Sequence, residues 1–141
     1  MFKNQNEVLI IAEVGQNHNG SLDLAREYVQ TFARAGADAI KFQTRNNKYL
    51  FSEDAYNARY ESENAFAETY GAHREFLELK PEWLSILKAD CEKSNVYFMS
   101  TPFDEPSLQV LENLSVNIIK IASFDLGNIP FIDKIAKTKN Q

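Results

Sequence analysis

The sequence is poor in cysteine, with Cys91 alone among 141 residues. One cysteine excludes an intrachain disulfide and a cysteine-based metal cluster, so we expect a reducing compartment. Long apolar runs are also missing: none approaches the roughly 20 residues that a membrane span requires. The opening MFKNQNEVLIIAEV is too short in its apolar part for a signal peptide. We therefore expect a cytoplasmic protein with no membrane partner.

An excess of positive charge is the third absence, because 20 aspartates and glutamates outnumber 15 lysines and arginines. The net charge of -5 argues against non-specific binding of nucleic acid or anionic membranes, which needs a basic surface. Hydrophobic residues make up 44% and charged residues 25%, as in folded globular proteins. The length then predicts a single domain.

Short apolar runs alternate with helical stretches along the whole chain. The runs predict four strands, at 8–13, 37–44, 96–100 and 117–122. Each is followed by apolar residues at helical spacing, which predicts an α/β fold with parallel strands and right-handed crossovers. The pattern leaves open whether the strands form an open sheet or part of a closed barrel. GQNHNG replaces the glycine-rich phosphate fingerprint after the first strand, and this favours the barrel.

A polar stretch at 45–80 interrupts this alternation. It is far longer than the usual connection of about two to six residues between a strand and its helix. We expect a functional loop there, with a short helix of its own around 59–70. The segment 70–75 (YGAHRE) either closes over a substrate or is a solvated loop.

Polar residues gather at the predicted C-terminal ends of the strands, where parallel α/β proteins place their sites. Lys41 and Gln43 are two apart and share one strand face, and Lys120 repeats this pattern between two isoleucines. A buried ammonium needs an anionic partner. That partner is Glu13 in a structural ion pair, or a phosphate or carboxylate ligand. Three hydroxyls near the same rim favour the ligand: Thr44, Thr101 and Ser123.

Other candidate residues carry two interpretations each. His18 in NHNG binds a ligand or orients a turn, and Asp125 is a general acid or base or a polar loop residue. Phe103 lies just beyond the third strand, and Cys91 has the helical spacing of a core residue. No His, Asp and Glu residues have the spacing of metal ligands, and no Ser/His/Asp set has elbow spacing.

Four motifs in order resemble the N-terminal barrel half of the sialic acid synthase family: IIAEVGQNHNGS, ADAIKFQT, FMSTPFD, and IIKIASFD followed by NIPFIDKIAKT. The family includes N-acetylneuraminic, legionaminic and pseudaminic acid synthases and spore-coat polysaccharide enzymes. The resemblance implies an α/β fold of the (β/α)₈ TIM-barrel family, with about four βα units present. It also implies that residues 1–141 form one partial barrel domain without the C-terminal half barrel and antifreeze-like domain. Family members work as dimers, so we expect a homo-oligomer.

The activity implied by the resemblance is the condensation of phosphoenolpyruvate with an N-acyl hexosamine in its aldehyde form, giving a nonulosonic acid and phosphate. A divalent metal, Mn²⁺ or Mg²⁺, would polarise the aldehyde, with ligands from later strands outside this chain. Glu13 and Asp125 would be catalytic. The implied substrate-binding residues are Lys41, Gln43, Thr44, Thr101, Phe103, Lys120 and Ser123.

Two departures from the family limit this interpretation. KIASFD stands where neuraminate synthases have KIGSGE, so Asp125 replaces a glutamate. The sequence stops at Gln141 before an expected fifth strand, so we expect a fragment without full catalytic competence. The alternative is a non-catalytic anion-binding or oligomerising half-barrel fragment. Related aldol condensations that make deoxy-octulosonate or deoxy-heptulosonate phosphates are disfavoured by the NHNG and STPFD motifs.

Overall fold

The computed structural model describes residues 8–138, in which strands and helices alternate. A 3₁₀ helix at Ser123–Gly127 precedes the last α-helix. The remaining elements, in chain order, are β1 (Ile11–Gly15), α1 (Leu22–Arg34), β2 (Ala39–Thr44), α2 (Asn47–Leu50), α3 (Glu53–Asn57), α4 (Tyr70–Phe76), α5 (Pro81–Lys93), β3 (Tyr97–Pro102), α6 (Glu105–Asn113), β4 (Ile118–Ile119) and α7 (Ile129–Ala136).

The four strands form one parallel sheet in the order β1-β2-β3-β4. Consecutive strands are therefore neighbours, and α1, α5 and α6 make the crossovers, which confirms the predicted parallel α/β fold. Within the described residues β1 and β4 are the edge strands. None of the described helices has the length and apolar composition needed to cross a membrane.

Several boundaries differ from the sequence prediction, and β1 is displaced from the predicted 8–13 to Ile11–Gly15. β4 has only two residues, because its described pairing with β3 is limited to Met99↔Ile118 and Ser100↔Ile119. The short helix expected around 59–70 is absent, and residues 59 and 69 instead form an isolated antiparallel bridge. The helix begins later, at α4, because the Thr69 hydroxyl caps it by accepting a hydrogen bond from the backbone N–H of Ala72.

The main core lies between one face of the sheet and helices α1 and α5. Ile40 and Phe42 of β2 pack there, and Phe42 stacks on Phe98 of β3. The buried helical residues against them are Ala25 and Val29 of α1 and Leu84, Leu87 and Cys91 of α5. Burying a large apolar side chain contributes about 1.5–3 kcal/mol, so this face is the main stabilising contact of the sheet. Cys91 is a core residue, as predicted.

The opposite face of the sheet, called here the inner face, has far less apolar cover. A small cluster of Ala39, Met99 and Ile118 lies there, with Tyr97 packed against it. Ile11, the β1 register partner of Ala39, is 41% exposed. The inner face is thus the side on which polar strand residues meet solvent rather than helices.

Asp104 connects the polar stretch 45–80, called here the insertion, to the sheet through hydrogen bonds. Its side chain caps α6 by accepting from the backbone N–H of Ser107 at 2.8 Å. The other carboxylate oxygen accepts from the backbone N–H of Asn46 at 2.7 Å. One buried carboxylate therefore accepts a hydrogen bond from a free backbone N–H at the start of α6 and also holds the first residues of the insertion over the end of β2.

Candidate functional site

The first row of the candidate site crosses the inner face from β1 to β4. Register pairing places Glu13 beside Lys41, Lys41 beside Met99, and Met99 beside Ile118. Paired residues of parallel strands point to the same face. The Lys41 ammonium forms an ion pair with the Glu13 carboxylate, and the side chains are 13% and 46% exposed.

The second row lies one step closer to the C-terminal ends of the strands. Gln43 of β2 pairs in register with Thr101 of β3, which is buried. Lys120 follows β4 and donates its backbone N–H to the carbonyl of Ser100 at 3.1 Å. Because Ile118 belongs to the inner-face cluster and the intervening Ile119 packs on the helix side, strand alternation puts Lys120 on the inner face as well.

The Thr44 side chain is on the opposite face of the sheet, and its part in anion binding stays a prediction. It has the same strand parity as Ile40 and Phe42, whose side chains face the helices. Its hydroxyl is buried and shares a 2.8 Å hydrogen bond with the Ser100 hydroxyl. The structure therefore makes Thr44 part of the packing behind the site.

The two predicted residues after β4 have different environments. Ser123 begins the 3₁₀ helix and is exposed, whereas Asp125 is buried. One Asp125 oxygen accepts from the Asn128 amide at 3.4 Å, and within the described residues Oδ2 has no hydrogen-bond partner. Asp125 lines a cavity of about 330 Å³ together with Phe103. Tyr49 and Leu50 of α2 and Phe131 of α7 also line this cavity.

Arg45 and Glu78 form a buried ion pair at the rim that the sequence analysis did not identify. The Arg45 Nη1 to Glu78 Oε1 distance is 3.2 Å, and the side chains are only 8% and 10% exposed. Arg45 also donates to Gln43 Oε1 and lies 3.8 Å above the Phe103 ring centre. Burial raises the pKa of Glu78 to about 7, against the opposing effect of Arg45, and burial lowers the pKa of Arg45.

One local signal could have pointed to Arg45, although not to its partner. Arg45 follows Gln43 by two positions, which is the spacing that continues one strand face. Glu78 is 33 positions further on in REFLELK, where no local pattern marks it.

His18 stabilises the turn after β1. Its Nδ1 accepts a hydrogen bond from the backbone N–H of Gly20 at 3.1 Å, and its ring lies against Phe42 with 6.2 Å between centroids. Within the described residues Nε2 has no partner, and burial lowers the pKa of His18 to about 4. The imidazole is therefore neutral at pH 7, which supports the turn interpretation over a proton carrier working near neutrality.

The sequence resemblance places the ligands of the divalent metal outside this chain. Among residues 8–138, no group of three His, Cys, Asp or Glu side chains is arranged to hold a metal ion. Carboxylates of the site are engaged elsewhere: Glu13 pairs with Lys41, and Glu78 with Arg45. The chemistry considered below therefore uses only the side chains present.

Comparison with known proteins gives consistent matches. The sequence profile of the NeuB family matches residues 28–141. The N-acetylneuraminate-9-phosphate synthase of Drosophila melanogaster is 39% identical over 129 residues, which cover 92% of this chain and 35% of that protein. The N,N'-diacetyllegionaminic acid synthase of Campylobacter jejuni is 40% identical over 134 residues, covering 93% of this chain and 40% of that protein.

Among solved structures, the fold matches a sialic acid synthetase from Leptospira borgpetersenii, crystallised with citrate. The TM-score is 0.78 at 36% identity, and the match covers 94% of this chain and 42% of that chain. The four βα units are thus a partial (β/α) barrel. The chain spans about a third to two fifths of the length of these relatives.

Proposed function

The chain belongs to the NeuB family, and we propose that it forms the phosphoenolpyruvate-binding part of a sialic-type acid synthase. The reaction we propose is a C–C bond-forming transfer. Phosphoenolpyruvate condenses with the aldehyde of an N-acyl hexosamine, and the products are a nonulosonic acid and phosphate. The matched relatives are named as synthases of such acids, which supports this class of reaction.

The observation that carries the proposal is the charge on the inner face. Two lysines lie on that face: Lys41 on β2 and Lys120 directly after β4, and both of these strands neighbour β3. Strand spacing puts the backbones of β2 and β4 about 10 Å apart, close enough for two long side chains to reach one small anion. At the inner-face positions of the described strands, one carboxylate, Glu13, faces these two lysines. A second anion would balance this charge, and phosphoenolpyruvate carries two anionic groups.

In the proposed reaction, C3 of phosphoenolpyruvate attacks the sugar aldehyde carbon, which becomes a hydroxyl-bearing carbon after protonation. Water adds at C2, and the C–O bond to phosphate breaks. Lys41 and Lys120 would bind the phosphate and carboxylate, with Thr101 and Ser123 as hydroxyl donors. Fixed positive charge beside the departing phosphate would lower the activation barrier for its release, and no covalent bond between enzyme and substrate would be needed.

Gln43 would contact the sugar, and Glu13 would lie beside the reacting centre. A catalytic role for Asp125 and substrate binding by Phe103 stay predictions, and both residues line one cavity. Metal dependence, a homodimer and a cytoplasmic location are also part of the proposal. No step is assigned to the metal.

Calorimetric titration with phosphoenolpyruvate tests the proposal in this chain. Lys41→Met removes the inner-face ammonium, and Lys137→Met is the matched control, since Lys137 is the C-cap residue of α7 and its side chain is 73% exposed. We expect Lys41→Met to weaken binding at least about tenfold, or about 1.4 kcal/mol, because a charge-assisted contact is lost. Lys137→Met should bind like the wild type.

Equal affinities in the two variants, or no binding by the wild type, would overturn the proposed anion site. Incubation with phosphoenolpyruvate and N-acyl hexosamines, with release of inorganic phosphate as the readout, then separates two cases. Release of phosphate supports a catalytic chain. Binding without release supports the non-catalytic anion-binding alternative.

A further inference from the structure

The Gln43 carboxamide lies between two charged side chains of opposite sign. Its Oε1 accepts a hydrogen bond from Arg45 Nη2, and its Nε2 lies 3.5 Å from Glu13 Oε1. A guanidinium has donors only, and an ionised carboxylate has acceptors only. The chemistry of the two neighbours therefore allows one orientation of the amide, with the carbonyl toward Arg45 and the NH₂ group toward Glu13.

Arg45 itself is held from three sides. Glu78 accepts a hydrogen bond from Arg45 Nη1 at 3.2 Å, and Gln43 Oε1 accepts one from Arg45 Nη2. The centre of the Phe103 ring lies 3.8 Å from the guanidinium carbon. Glu78 is in turn held by Gln16, whose Nε2 donates to Glu78 Oε1 at 2.6 Å. A guanidinium that is 8% exposed and bonded on both outer nitrogens has little freedom to rotate.

These contacts connect the insertion to the inner face. Glu78 comes from the segment between α4 and α5, and Arg45 from the residue after β2. Gln43 belongs to the second row of the inner face, beside Thr101. The chain of contacts thus runs from the end of the insertion to a side chain at the site.

We propose that Arg45 is a positioning residue that fixes the orientation of the Gln43 amide, and that Glu78 holds Arg45 in place. This inference rests on the proposed function, in which Gln43 contacts the sugar. Its consequence is a rule of specificity. The Gln43 NH₂ group points toward Glu13, and the N–H that Glu13 does not accept is left for the substrate, so the substrate atom it meets must be a hydrogen-bond acceptor, such as a carbonyl or hydroxyl oxygen of the N-acyl hexosamine.

The spectroscopic test follows the Gln43 side-chain NH₂ signals by ¹H–¹⁵N NMR, with Gln43→Glu to assign them. In Arg45→Met we expect these signals to move to the position of a freely rotating glutamine. Arg45→Lys keeps the charge but loses the two-pronged donor, so it should fail to restore them. Arg26→Met is the control, because Arg26 forms a remote ion pair with Asp90. Gln43 signals that stay unchanged in a folded Arg45→Met would overturn the inference.

Glu78→Gln gives a second test that spares the arginine. The amide is similar in size to the carboxylate, so the fold should persist while the ionic hold on Arg45 is lost. We expect the Gln43 signals to shift in the same direction as in Arg45→Met, by a smaller amount. An unchanged Gln43 signal in this variant would remove Glu78 from the proposal.

Calorimetric titrations separate positioning from direct binding. In Arg45→Met we expect affinity for N-acetylmannosamine, used as the probe sugar, to fall about tenfold, and affinity for phosphoenolpyruvate to stay within about twofold. A matching loss of phosphoenolpyruvate affinity would make Arg45 an anion ligand and overturn the positioning role. If the wild type binds no sugar, the specificity rule is overturned, while the NMR measurement still decides the orientation of Gln43.

Discussion

The Glu13 carboxylate and the Lys41 ammonium form an ion pair across β1 and β2, on the sheet face that the helices leave uncovered. The lysine end is 13% exposed and the glutamate end 46% exposed. An ion pair with one partner in solvent contributes little to stability, typically below about 1 kcal/mol. In the proposed anion site, Glu13 would therefore compete with the ligand for Lys41 at little cost to the stability of the fold.

Glu13→Gln tests that explanation. The substitution removes the negative charge that competes with a ligand for Lys41, so phosphoenolpyruvate should bind several-fold more tightly, on the scale of about 1 kcal/mol. Stability to urea should change by less than about 1 kcal/mol. Weaker ligand binding together with a large loss of stability would instead identify a structural ion pair. Calorimetry and urea unfolding on the same preparations give both quantities.

The Thr44–Ser100 hydrogen bond leads to a prediction for the helix-facing side. Thr44→Val leaves the buried Ser100 hydroxyl without its partner, which should cost about 1–3 kcal/mol in urea unfolding. The double variant Thr44→Val/Ser100→Ala should recover part of that loss, because no unpaired hydroxyl is left. Phosphoenolpyruvate affinity should stay within about twofold of wild type in both. A tenfold loss in folded Thr44→Val would return Thr44 to the binding site.

Gly20 allows the turn after β1 to lie close to the backbone of the insertion. Its φ is +71°, and a Cβ there would lie 2.0 Å from the carbonyl oxygen of Phe76. We expect Gly20→Ala to cost more than about 2 kcal/mol in urea unfolding, from backbone strain and collision together.

The matched control is Gly36→Ala, at φ +92° with nothing within 4 Å of the added Cβ. It carries the strain of a left-handed backbone alone, about 1–2 kcal/mol. Equal losses of unfolding free energy in the two variants would show that the Phe76 carbonyl moves aside without a measurable loss of stability.

Glu78 should make stability depend on pH in a direction unusual for a carboxylate. Its pKa rises from 4.5 to about 7 on folding because of burial, although Arg45 and Arg74 oppose the rise and Gln16 donates to it. The folded state therefore binds the proton more tightly, and this contribution is present below pH 4.5 and lost as the pH rises to about 7. Compared with Glu78→Gln, the wild type should lose on the order of 2 kcal/mol across that window. A constant difference between the two proteins would contradict this.

His18 should act in the opposite direction over nearly the same window. Burial lowers its pKa from 6.5 to about 4, so the stability of the neutral imidazole is present above pH 6.5 and lost as the pH falls through 4. The loss should approach about 3 kcal/mol relative to His18→Asn, which keeps an acceptor for the Gly20 N–H but cannot be protonated. Urea unfolding at pH 4 and pH 7 measures it. The His18→Asn comparison is needed because the Glu78 contribution partly cancels that of His18 in the wild type.

Strand periodicity was sufficient to predict the inner face. Lys41 and Gln43 share a side because strand residues two apart always do, and Ile40 and Phe42 pack on the helices for the same reason. The same rule assigns Thr44 to the helix side. A hydroxyl at a strand end favours a position at the rim, but strand parity is the better guide to the face on which the Thr44 side chain lies.

Contacts between distant segments were beyond the reach of the sequence. Glu78 approaches Arg45 only because the 45–80 insertion returns to the sheet, and periodicity says nothing about where a long loop returns. The position of the Asp125 side chain could not be predicted for a related reason. The chain leaves β4 into a 3₁₀ helix, so strand alternation no longer decides where that side chain points.

The ion pair between Arg45 and Glu78 also helps to make the insertion a unit that can be exchanged without changing the rest of the domain. Both ends of the insertion are held, one by the Asp104–Asn46 hydrogen bond and the other by Glu78. Doubling the length of a flexible loop between fixed ends costs only about 0.6 kcal/mol. The exposed residues 61–66, which lie between the two anchors and outside the Gly20–Phe76 contact, are therefore the part of the insertion to lengthen, shorten or replace in the laboratory while the sheet keeps its register. Grafting loops at this position would test whether the insertion affects ligand binding, without redesign of the sheet.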